Sequence, residues 1–319
     1  MQNDLVIALD IGAAGSIPEH WLKYKHWLDC IAFDEGDRKV EQENGVAKSS
    51  LPILLGKDCK HRKFYVLKSE TGSSLLPLNP KFQDFFHSEY HTLKEIKEVS
   101  TVSLNTLVTE KRLPYPELIK LDTQGSELEI LNNAELVLSR LIICELEVEF
   151  LEIYQGQALF SDINNFFDRL EFELIDLRTA RISYSRNGVK NYFVKQLGLS
   201  AAKLFSTTQI YSGEALYCRS VEWILSQDHS DFVKALKILI IYRCFDRALY
   251  IIDKAQARNL FSSQEIIDFR NLVYMNIPWF RGTSLLVRAS RKLIRLLSLP
   301  GTILSKVRCG WLLRDWPNS

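Results

Sequence analysis

Residues 8–21 read "ALDIGAAGSIPEHW": an apolar run ending in an acid, a glycine turn, and the start of a helical pattern. A strand that runs into a Gly-x-x-Gly turn and on into a helix leaves backbone N–H groups free at the helix start, where a ligand can be held. A pyrophosphate is the usual guest of such a turn. The spacing Gly12-Ala13-Ala14-Gly15, however, lacks the complete Gly-x-Gly-x-x-Gly fingerprint and carries no P-loop lysine. The next strand candidate ends in "IAFDEGD" (31–37), with Asp34 and Glu35 at its tip about twenty residues beyond the first glycine. A carboxylate there accepts both hydroxyls of a ribose and repels a 2′-phosphate. A solvated turn acid is the plainer reading of Asp34. Asp10 decides between donors: placed just before the turn, it would repel a pyrophosphate but suits a cationic ligand. S-adenosyl-L-methionine, with its ammonium and sulfonium and no phosphate, fits that charge.

Outward from this turn, β-rich runs alternate with helical patterns as far as about residue 194, which predicts an α/β fold with a largely parallel sheet. Strands are expected at 5–10, 30–34, 51–55, 63–68, 118–122, 141–150, 172–178 and 191–195, and helices over 18–28, 80–95, 126–138 and 159–170. Asn187-Gly188 signals a type I′ hairpin. From 201 to about 272 the pattern reads as helical, without strand alternation. Three parts are expected: 1–197 as the sheet domain, 198–278 as a helical appendage, and 279–319 as a basic tail. In that tail eight basic residues face the single acid Asp315, and residues 284–297 form a basic amphipathic helix on a helical wheel. It suits either anionic lipid or a protein surface.

Bulk composition narrows the function classes. The chain has 319 residues, 46% of them apolar, enough for a real core. A formal charge of only +1 argues against a nucleic-acid binder. Six scattered cysteines without a CxxC pair suit reduced thiols, and neither a secretory signal nor a membrane span is evident, so a cytoplasmic protein is expected, with peripheral contact at the inner membrane face through the tail.

The segment "IKLDTQGSELEILNNAELVLSRLIICELEVEFLEIYQGQALFSDINNFF" (119–167), together with "LDIGAAGSI" (9–17) and "AFDEGD" (32–37), resembles the FkbM-type S-adenosylmethionine-dependent methyltransferases over about residues 5–195. The resemblance implies a Rossmann-like, doubly wound methyltransferase sheet and O-methylation of a hydroxyl on a sugar, glycan or related small metabolite. It carries Asp10, Gly12 and Gly15 (with Ala13 between them) onto the first cofactor motif, and Asp34 (beside Glu35) onto the ribose acid. Asp122, Gln124, Gly125 and Glu127 match the signature after the fourth core strand.

Methyl transfer to a hydroxyl needs oxygen, carbon and sulfur in line and a base for the hydroxyl proton. Asp122 ends "LIKLD", and Glu127 follows in "GSELEIL". Glu145, Glu147 and Glu149 alternate with apolar residues, so the three share one face of a strand whose interior position should be apolar on both. Asp122, Glu127, Glu147 and Glu149 are therefore the candidate catalytic acids. Helix capping competes for Asp122 and Glu127, and ion pairing for the two glutamates. Ser74 in "TGSS" is a candidate cofactor contact or a loop cap. Gln124, Tyr154 and Gln157 are candidates to line an acceptor pocket. The His87/His91 pair lacks a third ligand nearby, and no metal site is expected. The competing functions are a nicotinamide-dependent oxidoreductase on a similar sheet and a non-catalytic interaction protein that kept the fold.

Overall fold

The computed structural model describes residues 5–12, 17–33, 48–82, 92–182 and 209–278. The strand that opens the chain, β1 (Val6–Ile11), is followed by a single-turn helix α1 (Glu19–Leu22) and by β2 (Leu28–Phe33). After β3 (Lys48–Leu51) comes a small excursion of β4 (Leu54–Leu55), β5 (Cys59–Leu67) and β6 (Leu93–Val102). The main sheet resumes through α2 (Leu104–Thr109), β7 (Leu118–Leu121), α3 (Glu127–Asn132), α4 (Glu135–Leu138) and β8 (Ile143–Glu149). It is completed by α5 (Phe160–Asp168), β9 (Phe172–Ile182) and β10 (Gln209–Arg219). Four helices follow: α6 (Val221–Leu225), α7 (His229–Ile241), α8 (Phe245–Ala257) and α9 (Ser263–Tyr274).

The seven-stranded sheet has the order β3-β2-β1-β7-β8-β10-β9. Neighbours from β3 to β8 pair in parallel, whereas β10 runs antiparallel to both β8 and β9. Without β10 this would be the order of a dinucleotide-binding sheet, with its switch point between β1 and β7. The inserted antiparallel strand is the departure. Helices cover both faces, as doubly wound sheets require, and the Rossmann-like architecture expected from the resemblance is observed.

Strand parity sorts the core into two layers. Leu9, Ile11, Ile119, Leu121, Cys144, Leu146 and Val148 face α2, α3, α4 and α5. Val6, Ala8, Leu118, Ile143 and Leu216 face α1 and the C-terminal helices. Among these, α7 is buried almost all round, with Phe232, Leu236, Ile238 and Leu239 fully enclosed between the sheet and its partner helices. An ion pair ties this helix to the sheet: Lys234 Nζ donates to Glu117 Oε1 at 2.6 Å, while Glu117 Oε2 accepts the Ile7 amide at 2.8 Å. The C-terminal helices thus form one layer of the sheet's own core.

Several expectations change. The stretch 201–272 is not helical throughout, because β10 occupies 209–219, and a strand from beyond the boundary drawn at 197/198 lies inside the sheet. From Ala215 to Arg219 β10 is buried on both faces, so that stretch shows no alternation to read. Gly213 lets it approach β9: a Cβ there would stand 2.7 Å from the Arg178 carbonyl. Of the helix expected over 80–95 only the ends are described: a 3-10 turn spans Pro80–Phe82 and β6 begins at Leu93, while 83–91 lie outside the described residues. In β6 the apolar residues Leu93, Ile96 and Val99 recur every third position, which mimics a helix. Pairing with β5 overrides that period, with Lys63 opposite Glu98 and Tyr65 opposite Ile96. The 126–138 helix is split at Asn133 and Ala134, and the first helix is one turn rather than three. The Asn187-Gly188 hairpin, the 191–195 strand, His87 and His91, and the tail segment 284–297 lie outside the described residues.

Candidate active site

The face of the sheet that packs against α7 is apolar at its lower end and charged at its upper end. Asp10, Lys120 and Glu145 stand opposite one another in register across β1, β7 and β8. One step toward the carboxyl ends of the parallel strands, Glu147 stands opposite Glu214 of β10. Lys120, Asp122, Glu145, Glu147 and Glu214 line an open cleft there. Ligands of open α/β sheets bind outside the carboxyl ends of the strands, next to the switch point.

The first glycine has a packing reason. Gly12 donates its amide to the Phe33 carbonyl at 3.1 Å, while the Asp122 amide donates to the Ile11 carbonyl at 2.9 Å. The turn thereby crosses the end of β7 with φ +81°, and a Cβ at Gly12 would lie 1.8 Å from the Asp122 carbonyl oxygen. Asp10 is buried just beneath it. Ala13, Gly15, Asp34 and Glu35 lie outside the described residues, so of the expected donor contacts Asp10, Gly12, Ser74 and Asp122 are described.

The signature "DTQGSE" (122–127) folds into a tight turn held from three sides. Gln124 and Gly125 take left-handed backbone angles, with φ +57° and +103°. Glu127 closes the turn from inside: its Oε1 accepts the Thr123 amide at 2.7 Å and hydroxyl at 3.0 Å, and its Oε2 accepts the Gly125 amide at 3.0 Å. Only 3% of Glu127 is exposed, so the side chain expected to be catalytic is enclosed as a turn lock. From the outside, Ser74 Oγ donates to the Gln124 carbonyl at 2.7 Å and accepts the Leu76 amide at 3.0 Å. Its hydroxyl, expected at the cofactor, is committed to the protein. From below, Arg62 of β5 forms a two-pronged ion pair with Glu129 of α3, tying the small sheet to the signature helix.

The residues expected to line an acceptor pocket likewise turn inward. Gln124 Nε2 donates to Asp122 Oδ1 at 2.9 Å and to Glu147 Oε2 at 2.8 Å. Its Oε1 accepts the Tyr154 hydroxyl at 3.0 Å. Tyr154 also reaches the Gly72 carbonyl at 2.9 Å, and its amide donates to Gln157 Oε1. Tyr154 and Gln157 are both buried.

Glutamates two residues apart on β8 have opposite electrostatics. Burial opposes ionisation of Glu145, but His20, the Tyr242 hydroxyl and Arg178 outweigh it, so its carboxyl is held below the usual range. The contacts are His20 Nε2 at 3.4 Å, Tyr242 at 2.8 Å and Arg178 at 3.0 Å. Glu147 is pushed well above the usual range by burial and by the charges of Asp122, Glu149 and Glu127. Glu149 is raised in the same way, by burial and then by Glu127 and Asp122. These carboxyls cannot all ionise together, so the cluster holds on to protons. Lys120 is the counterweight: burial works against its charge, and Asp122, Asp10, Glu145 and Glu214 more than offset it, raising its pKa.

Sequence reasoning passed over Lys120, Glu145 as a paired acid, Glu214 and Tyr242. Lys120 carries the same signal as the glutamates, since a lysine inside "LIKLD" is equally out of place on an interior strand. Glu214 was hidden with its strand. Tyr242 sits 97 residues from Glu145, and no local pattern joins them.

Residues 33–174 match the model of the methyltransferase FkbM domain. No curated protein matches the chain. The matched stretch runs from the end of β2 into β9 and contains the signature turn and the acidic strand. Over that stretch, which carries the acid-lined ends of β7 and β8, the chain is similar to the methyltransferase FkbM domain.

Proposed function

We propose that the chain is an S-adenosylmethionine-dependent O-methyltransferase that acts on a hydroxyl of a sugar, glycan or related small metabolite. The observation that carries this reading is Glu147: a carboxylate at the cleft, bonded to Gln124 and with its proton affinity raised by burial and neighbouring acids. A general base works best when its pKa is tuned toward the working pH, and a raised carboxyl is a stronger base than a solvated one.

The residues present suit a cationic donor. Asp10 and Asp122 supply negative charge at the ends of adjacent strands, and Gly12 keeps the turn between them close to the sheet. These three, with Ala13, Gly15, Asp34 and Glu35 from the unaided sequence reading, would hold S-adenosylmethionine. The donor supplies a methyl group made electrophilic by its sulfonium. Glu147 accepts the hydroxyl proton as the oxygen attacks. Asp122, fixed by the same Gln124 amide, orients the hydroxyl from the other side. Lys120 limits the repulsion between these acids, so that one of them can be ionised while the next holds a proton. Hydroxyl-rich acceptors suit a cleft of carboxylates, which accept hydrogen bonds from OH groups.

Titration calorimetry with S-adenosylhomocysteine and, in parallel, with NAD tests the donor. Binding of the first and not the second is expected, and the reverse overturns the reading. Transfer of labelled methyl from S-adenosylmethionine to a pool of cellular glycans tests the acceptor class. With a transferable acceptor in hand, Glu147→Gln should lower kcat by about 10²–10⁴-fold. For location we propose the cytoplasm, with the segment 284–297 touching anionic lipid. No described helix is long and apolar enough to cross a membrane. Sedimentation with anionic liposomes should lose the protein from the supernatant, and equal recovery of full-length and tail-deleted forms counts against the contact.

A further inference from the structure

Gln124 holds two acids with one nitrogen, and its use depends on which way its amide points. Asp122 and Glu147 lie on the nitrogen side at 2.9 and 2.8 Å. Turned over, the amide would set its oxygen against both carboxylates. The opposite end of the same amide is met by Tyr154, whose hydroxyl stands 3.0 Å from Gln124 Oε1. The single hydroxyl proton is shared between Gln124 Oε1 and the Gly72 carbonyl at 2.9 Å, and the Gln124 backbone is pinned by Ser74 at 2.7 Å. Burial first, and then the surrounding acids, keep the Tyr154 hydroxyl protonated and therefore a donor.

We propose that Tyr154 is a positioning residue: by donating to Gln124 Oε1 it keeps the Gln124 nitrogen between Asp122 and Glu147, and so holds these two carboxylates as a pair at the cleft. Tyr154 itself stays out of the cleft and acts only through Gln124. That the pair serves methyl transfer rests on the function proposed above; that the pair exists and is set by Tyr154 does not. Hydrogen bonds to a carboxylate favour its charged form. Loss of the Tyr154 hydroxyl frees the amide to turn, so Glu147 loses a donor and holds its proton to higher pH. The other groups that act on Glu147 are Asp122 and Lys120 at the end of β7, Glu149 on its own strand, Glu127 of α3 and Glu214 of β10. Neither substitution below removes any of them.

The test uses the full chain with carbon-13 in its glutamate side chains, and follows the Glu147 carboxyl resonance against pH. In Tyr154→Phe the midpoint should move upward by about one pH unit, the size expected for losing one hydrogen bond to a charged group. Gln124→Met should move it similarly, and the double variant no further than either alone, because both act through one amide. In the unaltered chain the Gln124 side-chain amide resonances should follow the same titration, and in Tyr154→Phe they should lose that dependence. This measurement stands even if Gln124→Met does not fold. An unmoved midpoint in Tyr154→Phe, or shifts that add in the double variant, overturns the proposal. Calorimetry with S-adenosylhomocysteine on the same samples separates the two claims: failure to bind removes the proposed reaction and leaves the titration result untouched.

Discussion

The lower and upper halves of one sheet face follow different rules. Below, Val6, Ala8, Leu118 and Ile143 are sealed by α7, and their stability comes from apolar area removed from water. Above, the same strands continue as Asp10, Lys120, Glu145, Glu147 and Asp122, and burial there opposes charge. The border runs through Glu145 and Glu147. Glu145, beside the helical layer, meets His20, Tyr242 and Arg178 and stays ionised. Glu147, one step higher and past the reach of that layer, meets other acids. A chain can thus build a structural acid and a reactive acid two residues apart, with the difference made by what packs on them.

Emptying the apolar half should have the largest effect. Phe232→Ala opens a cavity in the α7 layer and should cost about 3–5 kcal/mol, read from denaturant unfolding. Gly12→Ala attacks the seam where the turn crosses β7. The added Cβ meets the Asp122 carbonyl at a left-handed backbone angle, and the loss should be about 2–4 kcal/mol, with S-adenosylhomocysteine binding lost alongside.

The two glutamates sharpen the comparison further. Glu145→Gln removes the charge that Arg178, His20 and Tyr242 share and should destabilise by about 1–3 kcal/mol at neutral pH. Its carboxyl is held below its unfolded value, so it contributes stability above the unfolded pKa that disappears as pH falls through the folded one. The penalty of the substitution should therefore shrink in acid. Glu147→Gln should behave in the opposite sense and with the smallest amplitude. Its carboxyl is held above its unfolded value, so ionising it costs stability as pH rises, and the cost fades once pH drops below the folded pKa. The variant should melt a few degrees higher than the parent at alkaline pH, and nearly level with it at mildly acidic pH. Melting curves that respond alike to pH in both variants would erase the proposed border.

Much of this molecule could be read before folding. The parallel strands announced themselves through short apolar runs between helical patterns, and the three glutamates stood out because interior strands exclude charge. Asp10, Asp122, Glu147 and Glu149 do converge on one face at the carboxyl ends of the strands. β10 escaped because its stretch Ala215–Arg219 is buried on both sides and has no period, and β6 escaped because its apolar residues recur every third position rather than every second. Ser74, Glu127, Gln124, Tyr154 and Gln157 share a feature that the sequence did not display: each is polar and near the signature, and it hydrogen-bonds to other groups of the protein.

What sequence alone determined is local: strand and turn chemistry, the parity that puts Glu145, Glu147 and Glu149 on one side, and the signature that marks the domain. What only tertiary structure decided is the partner of each acid. Arg178, His20 and Tyr242 come from distant segments, and a carboxyl's affinity for its proton depends on the charges and donors within a few ångströms rather than on its neighbours along the chain.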